Sequence, residues 1–159
     1  MIITAGRFPV LLTAAIAAAS LTVSCGRTGK PKTIDIAFVT KALDSEWWQR
    51  VKSGAEEAAR ADPGVKLSVL APEREVNIDQ QVAILENQIT RRVSALAVAP
   101  AGASEVLPVL EHAKAAGIPV LIVDTDINWP SKLSYIGADN QRAGRIAGEY
   151  IVNAIGGKG

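Results

Sequence analysis

The chain has 159 residues, and 17 lysines and arginines against 16 aspartates and glutamates give it a formal net charge of +1. A chain this close to neutrality has no basic field to recruit nucleic acid or an anionic membrane surface. One histidine and one cysteine exclude most metal sites built from those ligands, and we expect neither a metal nor a cofactor. The histidine, His112, lies in a helical pattern among charged residues and is expected to be a solvated surface residue.

The N-terminus has the organisation of an export signal. Arg7 precedes an apolar run over residues 8–19, and a few small residues lead from that run to Cys25. This order predicts a lipoprotein signal peptide over residues 1–24, with Cys25 as the acylated first residue of the mature chain and residues 25–33 as a flexible linker. The protein is then exported to the periplasm or the cell surface and is held on a membrane by its lipid.

Two other interpretations of this segment remain open. An uncleaved transmembrane anchor needs about 20 apolar residues, whereas this run is shorter and is interrupted by Pro9, Thr13 and Ser20. In the second alternative, Cys25 is an ordinary thiol that follows a signal peptide. Thr22 favours this alternative, because lipoprotein signals usually carry leucine or valine at that position. A single cysteine forms no internal disulfide in an oxidising compartment, which favours lipidation.

Beyond the linker, short apolar strands alternate with amphipathic helices. Strands are expected over residues 34–39, 65–70, 93–99 and 119–123, and helices over residues 45–61, 103–116 and 141–155. A further helix between the second and third strands carries an apolar stripe of Ile78, Val82, Leu85 and Ile89. In the helix over residues 103–116, the side chains expected to face inward are Val106, Leu107, Leu110 and Ala113. Alternation of near-continuous apolar strands with helices predicts an α/β fold, a parallel sheet covered by helices on both faces.

In a parallel sheet of this kind, ligands bind at the carboxyl ends of the strands, where the loops converge. The corresponding loops are residues 41–48, 71–77, 100–104 and 124–129. Binding residues are therefore expected in these loops.

The first loop runs into Trp47 and Trp48. Adjacent residues on a helix do not share a face, so one indole is expected to pack on the sheet while the other lies at the mouth of the crevice. An accessible indole offers a flat apolar surface that can stack on a sugar ring. The alternative is a pair of purely structural tryptophans.

Asp124 directly follows the fourth strand. A carboxylate there can accept two hydroxyl hydrogens in charge-assisted hydrogen bonds, or it is a solvated residue that caps the turn, which is the role expected for Asp126. Lys41 offers donors to a polyol from the opposite side, or lies in solvent. No nucleophile with a positioned base and no Gly-x-Ser-x-Gly elbow is present, so no catalytic residue is assigned and we expect a protein that is not an enzyme.

Four segments of the chain resemble, in the same order, ribose- and allose-type periplasmic sugar-binding proteins of bacterial ABC importers. They are residues 36–54, 98–100, 117–124 and 135–144. The resemblance implies one Rossmann-like lobe of a type I periplasmic binding protein over residues 34–136. Residues 137–159 then form a hinge crossing and the first helix of a second lobe that is mostly absent, so the resemblance implies the N-terminal part of such a protein. The implied function is capture of a monosaccharide and its delivery to an ABC permease.

The same resemblance assigns roles to residues. Trp47 and Trp48 match the aromatic pair that encloses the sugar, Asp124 matches the acid that binds ring hydroxyls, and Lys41 matches a lysine of allose-type members. Ser45 and Glu46 replace the usual Asn-Pro, and Thr125 replaces the arginine that ribose-type members carry beside the acid. Ser45 and Thr125 are kept as second-rank ligand contacts.

Other functions share this fold. A sugar or autoinducer-type sensor lobe that feeds a membrane receptor is the main alternative. A sugar-responsive repressor would begin with a basic helix-turn-helix, whereas the first residues of this sequence are predicted to form an export signal. A flavodoxin-like enzyme would need a cofactor loop, which the sequence does not show.

Overall fold

The computed structural model describes residues 33–157. The predicted signal peptide, Cys25 and all of the linker except Thr33 lie outside the described residues. No helix within residues 33–157 is both long enough and apolar enough to cross a membrane.

Strands and helices alternate along the described chain. They are β1 (Ile34–Val39), α1 (Glu46–Arg60), β2 (Val65–Leu70), α2 (Ile78–Thr90), β3 (Ala95–Val98), α3 (Ala103–Ala115), β4 (Val120–Val123), β5 (Ser134–Ile136) and α4 (Asn140–Ala154). The strands form one sheet in the order β2-β1-β3-β4-β5, with every neighbouring pair parallel. The predicted α/β class and its parallel sheet are therefore confirmed.

Strand β5 was not expected from the sequence. Its three residues are too few to show a periodic pattern, and β5 forms by pairing with β4, where Ile122 is in register with Tyr135. This edge strand matters for the site because it lies beside the end of β4.

The main core lies between the sheet and helices α2 and α3. Alternate strand residues point to this side, because successive side chains of a strand face opposite ways; the fully buried ones are Ala37, Val39, Leu96, Val98, Val120 and Ile122. Helix α3 adds Val106, Val109, Leu110 and Ala113. Leu107 packs against this core as expected but is only half-buried, and Val109, which was not predicted, is buried as well.

The opposite face of the sheet packs against α1. A small cluster joins it to α1, with Ala42, Trp48 and Ala99 buried and Val51 and Val123 partly buried. Residues of β4 on this face are half-buried, whereas those facing α2 and α3 are buried. The prediction of helices on both faces is therefore confirmed, although within residues 33–157 α2 and α3 cover their side more completely than α1 covers the other.

Helix α2 packs against the core through Val82, Leu85 and Ile89 of its predicted apolar stripe, but its most buried face lies beside that stripe. Leu85 is buried as expected, whereas Ile78, Val82 and Ile89 are half-buried, and the other buried residues of the helix are Gln81 and Gln88. The buried face therefore contains two amide side chains that need hydrogen-bond partners.

Two further expectations are confirmed. His112 is exposed, and its Nδ1 lies 2.7 Å from Oε1 of Glu86 on the neighbouring helix α2. The expected helix over residues 141–155 corresponds to α4, although none of its residues is buried. Its large apolar side chains Ile146, Tyr150, Ile151 and Val152 are all more than half exposed.

Candidate ligand-binding site

The loops after β1, β2 and β4 bring four polar side chains together at the carboxyl edge of the sheet. The ammonium nitrogen of Lys41 lies 2.8 Å from Oγ1 of Thr125, 3.3 Å from Oδ2 of Asp124 and 3.4 Å from Oε1 of Glu75. Lys41, Asp124 and Thr125 were predicted from the sequence. Glu75 belongs to the expected loop of residues 71–77 but was not singled out, because an exposed glutamate in a loop carries no signal of its own.

Within this cluster, Thr125 connects the lysine to the acid. Its hydroxyl accepts a hydrogen bond from Lys41 and donates one to Oδ2 of Asp124 over 3.0 Å. A hydroxyl has only one hydrogen to donate, so the donor of Thr125 is already used. Oδ1 of Asp124 accepts none of the side-chain hydrogen bonds formed within residues 33–157, and this side chain is 34% exposed, so the oxygen is available to a ligand.

The backbone holds Asp124 in an unusual conformation. Its φ angle is 65°, and the N–H of Thr125 donates to the carbonyl of Val123 over 2.8 Å, closing a tight turn around Asp124. Positive φ is uncommon outside glycine and is tolerated best by Asp and Asn. Such strain persists only where neighbouring structure enforces it, and it concentrates at functional sites.

The neighbouring structure that enforces this turn is β5. The N–H of Asp124 donates to the carbonyl of Ile136 over 2.9 Å, and the hydroxyl of Tyr135 donates to the carbonyl of Asp124 over 2.8 Å. Both backbone groups of Asp124 are therefore bound to the edge strand, which fixes the direction of its carboxylate.

The position of the Tyr135 ring requires a residue without a side chain at Gly137. A Cβ atom at Gly137 would overlap the hydroxyl and the ring of Tyr135. Gly137→Ala should therefore displace the Tyr135 ring from Asp124, with an expected loss of about 1–2 kcal/mol in the free energy of unfolding, measured by urea denaturation. Gly144→Ala is the matched control, because no atom lies within 4 Å of its added Cβ. If Gly137→Ala is as stable as Gly144→Ala, the contact between Tyr135 and Asp124 does not require a glycine at position 137.

The two tryptophans lie as the helical geometry predicts. Trp47 is 61% exposed, whereas Trp48 is 5% exposed and packs against Ala42 and Ala99. Ser45 is the N-cap of α1, and its hydroxyl accepts a hydrogen bond from the N–H of Trp48 over 3.3 Å. The predicted contact residue Ser45 thus also starts the helix that presents Trp47 and buries Trp48.

Gln81 was missed by the sequence analysis. It is fully buried, its Nε2 donates to the carbonyls of Thr40 and Ala99 over 3.0 Å each, and its Oε1 accepts from the N–H of Ala101 over 2.9 Å. One amide thereby joins the ends of β1 and β3 next to Lys41. The available signal was its spacing, since Gln81 is three residues after Ile78 and four before Leu85, on the inward side of α2.

The loop after β4 is anchored beyond Asp124. As predicted, Asp126 caps the turn: its Oδ1 accepts from the N–H of Ile127 over 2.9 Å and pairs with the ammonium of Lys132. The hydrogen bond from Lys132 lowers the pKa of Asp126, against a smaller opposing effect of burial. Trp129 is buried and donates its indole N–H to Glu111 over 2.6 Å, which lowers the pKa of that carboxyl.

Metal ligands are not assembled anywhere in the part of the chain that the structure describes. Residues 33–157 contain no group of three or more histidine, cysteine, aspartate or glutamate side chains placed to hold an ion. The acids of the site instead face a lysine and a threonine, an arrangement suited to a ligand that both donates and accepts hydrogen bonds.

Comparison with known proteins identifies the family of the chain and its fold. Residues 36–159 match the family described as periplasmic binding protein domain. The chain belongs to this family. Its sheet and helices form one lobe of the type I periplasmic binding protein fold, and it spans less than half the length of the curated relatives it matches.

Individual relatives are sugar-binding proteins. The ribose import binding protein of Escherichia coli (strain K12) is 30% identical over 139 residues, which is 87% of this chain and 45% of the relative. An ABC transporter periplasmic solute-binding protein of Actinobacillus succinogenes, solved with bound D-allose, has a TM-score of 0.72 at 31% identity, covering 79% of this chain and 46% of that one. A fructose-binding periplasmic domain of a hybrid two-component system has a TM-score of 0.70 at 27% identity, covering 79% and 42%.

Proposed function

We propose that this chain forms one lobe of an exported, lipid-anchored protein that captures a monosaccharide and delivers it to an ABC permease. The observation that supports this most strongly is the placement of an exposed indole, an acid with an available oxygen and a nearly buried lysine at the carboxyl edge of one parallel sheet. These are the groups needed to hold a polyol: an apolar platform, a charged acceptor and a charged donor.

Each predicted residue has a proposed role. Trp47 stacks on the apolar face of the sugar ring, and Trp48, which is almost completely buried, supports this platform and meets the sugar only with an edge. Asp124 accepts hydrogen bonds from ring hydroxyls through Oδ1, while Lys41 donates to a ring or hydroxyl oxygen. Thr125 and Ser45 stay second-rank contacts, because both hydroxyls already hold a neighbour in position.

The proposed work is binding and release, with no bond made or broken. In a two-lobed protein of this fold, closure around the ligand is a hinge motion that encloses the sugar between lobes. One lobe contacts only one side of the sugar, so we expect the affinity of this lobe alone to be weaker than that of an enclosing pair. Similarity to import binding proteins supports delivery to an ABC permease as the purpose of this cycle.

Titration with monosaccharides tests this proposal directly. NMR titration of the full chain with D-allose, D-ribose, D-galactose and D-glucose should shift the resonance of the Trp47 indole N–H and leave that of the buried Trp129 unchanged. The proposal fails if none of a broad panel of aldoses and ketoses perturbs Trp47.

The proposed membrane anchor has its own test. Cys25→Ser should move the protein from the membrane fraction to the soluble fraction, because the thiol that would carry the lipid is removed. Ser24→Ala is the matched control at the adjacent position and should leave the protein on the membrane. Membrane fractionation and mass spectrometry of the mature N-terminus measure these outcomes. Lipidation of Cys25 is wrong if the wild-type protein is already soluble and begins at another residue.

A sensor role is the second candidate, favoured by one specific observation. The fructose-binding periplasmic domain noted above belongs to a hybrid two-component system. Neighbouring genes for a permease and an ATPase would support transport, whereas a neighbouring membrane kinase without them would support sensing.

A further inference from the structure

The site contains a second carboxylate that sugar binding alone does not require. Oε1 of Glu75 lies 3.4 Å from the ammonium of Lys41, on the side of the β2–α2 loop, while Asp124 lies 3.3 Å away on the side of the β4 loop. The single positive charge of Lys41 is thus already balanced by Asp124, and Glu75 leaves one negative charge in excess.

Other charges near these loops do not remove this excess. Asp126 is paired with Lys132, and Glu46 with Arg50. The remaining charged residues of the β1–α1 and β2–α2 loops are Asp44, Glu73 and Arg74, which together add one further negative charge.

We propose that Glu75 is a specificity-determining residue, which makes the site select uncharged sugars over sugars that carry a carboxylate or a phosphate. This inference rests on the proposed function and extends it to the class of ligand. An anionic group entering the site meets two carboxylates and a lysine whose positive charge they already balance, although the one hydrogen bond that Lys41 donates within residues 33–157 is to Thr125. A neutral hydroxyl instead finds a remaining N–H of Lys41 and the available Oδ1 of Asp124.

The geometry favours a role in selection over a role in stability. The Lys41 side chain is 15% exposed, so its ammonium is partly desolvated and sensitive to neighbouring charge, whereas the Glu75 side chain is 56% exposed. Ion pairs with such an exposed partner contribute little to stability. A ligand anion beside Lys41 would lie within a Debye length of Glu75, about 8–10 Å at physiological salt. The repulsion weakens with distance, so the acid paired with Lys41 should have a larger effect than other acids of the loop.

The test compares neutral sugars with their anionic counterparts. The full chain is titrated by NMR with D-glucose and D-glucuronate, D-galactose and D-galacturonate, and D-ribose and D-ribose 5-phosphate, at low ionic strength. For any neutral sugar that binds, the anionic partner should bind about tenfold more weakly, and Glu75→Gln should reduce this ratio to about threefold. Glu73→Gln is the matched control, because it makes the same charge change in the same loop at a side chain that forms no ion pair with Lys41. Raising the salt to about 0.5 M should narrow the wild-type ratio towards that of Glu75→Gln, as screening predicts.

Three outcomes overturn the inference in distinguishable ways. If neutral and anionic sugars bind equally, or if Glu75→Gln and Glu73→Gln leave the same ratio, selection by Glu75 is wrong while the proposed function stands. If Glu75→Gln abolishes binding of neutral sugars too, Glu75 acts by holding Lys41 in place and not by selecting charge. If no neutral sugar binds, the proposed function itself fails, and this inference fails with it.

Discussion

Replacing Asp124 with alanine is expected to raise the dissociation constant for a bound monosaccharide about ten- to a hundredfold, because a charge-assisted hydrogen bond to a hydroxyl is worth about 1.5–3 kcal/mol. The substitution also leaves Glu75 as the acid paired with Lys41, while the hydrogen bond from Lys41 to Thr125 remains. NMR titration, or calorimetry where the affinity permits, measures the change.

The control for this substitution lies two residues further along the chain. Asp126 is an acid of the same loop, but its Oδ1 is engaged by Ile127 and Lys132. Asp126→Ala should reduce stability while leaving the affinity for sugar within about twofold, since it removes a turn cap and no proposed ligand contact.

The companion substitution removes the aromatic platform. Trp47→Ala should weaken sugar binding by a similar factor, whereas Trp47→Phe should retain much of the affinity because a flat ring remains. Trp47 is 61% exposed, so neither change should affect folding. Unchanged affinity in both Asp124→Ala and Trp47→Ala would remove the proposed site.

Local pattern predicted the parts of this site that depend on secondary structure alone. The division between Trp47 and Trp48 follows from the angle between successive residues of a helix, and the position of Asp124 follows from the end of a buried apolar strand. These two predictions depended only on the positions of the strands and helices, which the periodicity of apolar residues indicated.

Contacts between distant segments escaped the sequence analysis. Lys41 and Thr125 are 84 positions apart, and their hydrogen bond depends on the strand order of the sheet. Glu75 is brought to Lys41 by the path of one loop, and β5 exists only because β4 offers it an edge. Such features arise from tertiary structure, for which a single sequence contains no periodic signal.

The segment that covers each face of the sheet could not be predicted from the sequence for a related reason. Near-continuous apolar strands show that both faces are to be buried, but they do not show by which segment. Within the described chain, α2 and α3 close one face, α1 closes part of the other, and α4 buries none of its residues.

Gln81 is the residue whose loss should affect the fold most. Gln81→Leu is expected to reduce the free energy of unfolding by about 2–6 kcal/mol, because it leaves the buried carbonyls of Thr40 and Ala99 without their amide partner, at about 1–3 kcal/mol for each buried group. The partly buried N–H of Ala101 loses its acceptor as well. Domains of this size are stable by only about 5–15 kcal/mol, so the variant should be close to unfolding.

Two variants separate the hydrogen bonds of Gln81 from its bulk. Gln81→Glu keeps an oxygen for the N–H of Ala101 but cannot donate to both carbonyls, so its loss should be substantial as well. Gln80→Leu is the control on the adjacent, exposed residue, which accepts one hydrogen bond from the N–H of Glu73 and should cost no more than about 1 kcal/mol. Urea denaturation ranks the three variants. If Gln81→Leu is as stable as Gln80→Leu, the ends of β1 and β3 are held by the ladder of the sheet alone, and Lys41 owes its position to its own ion pairs and not to the amide behind it.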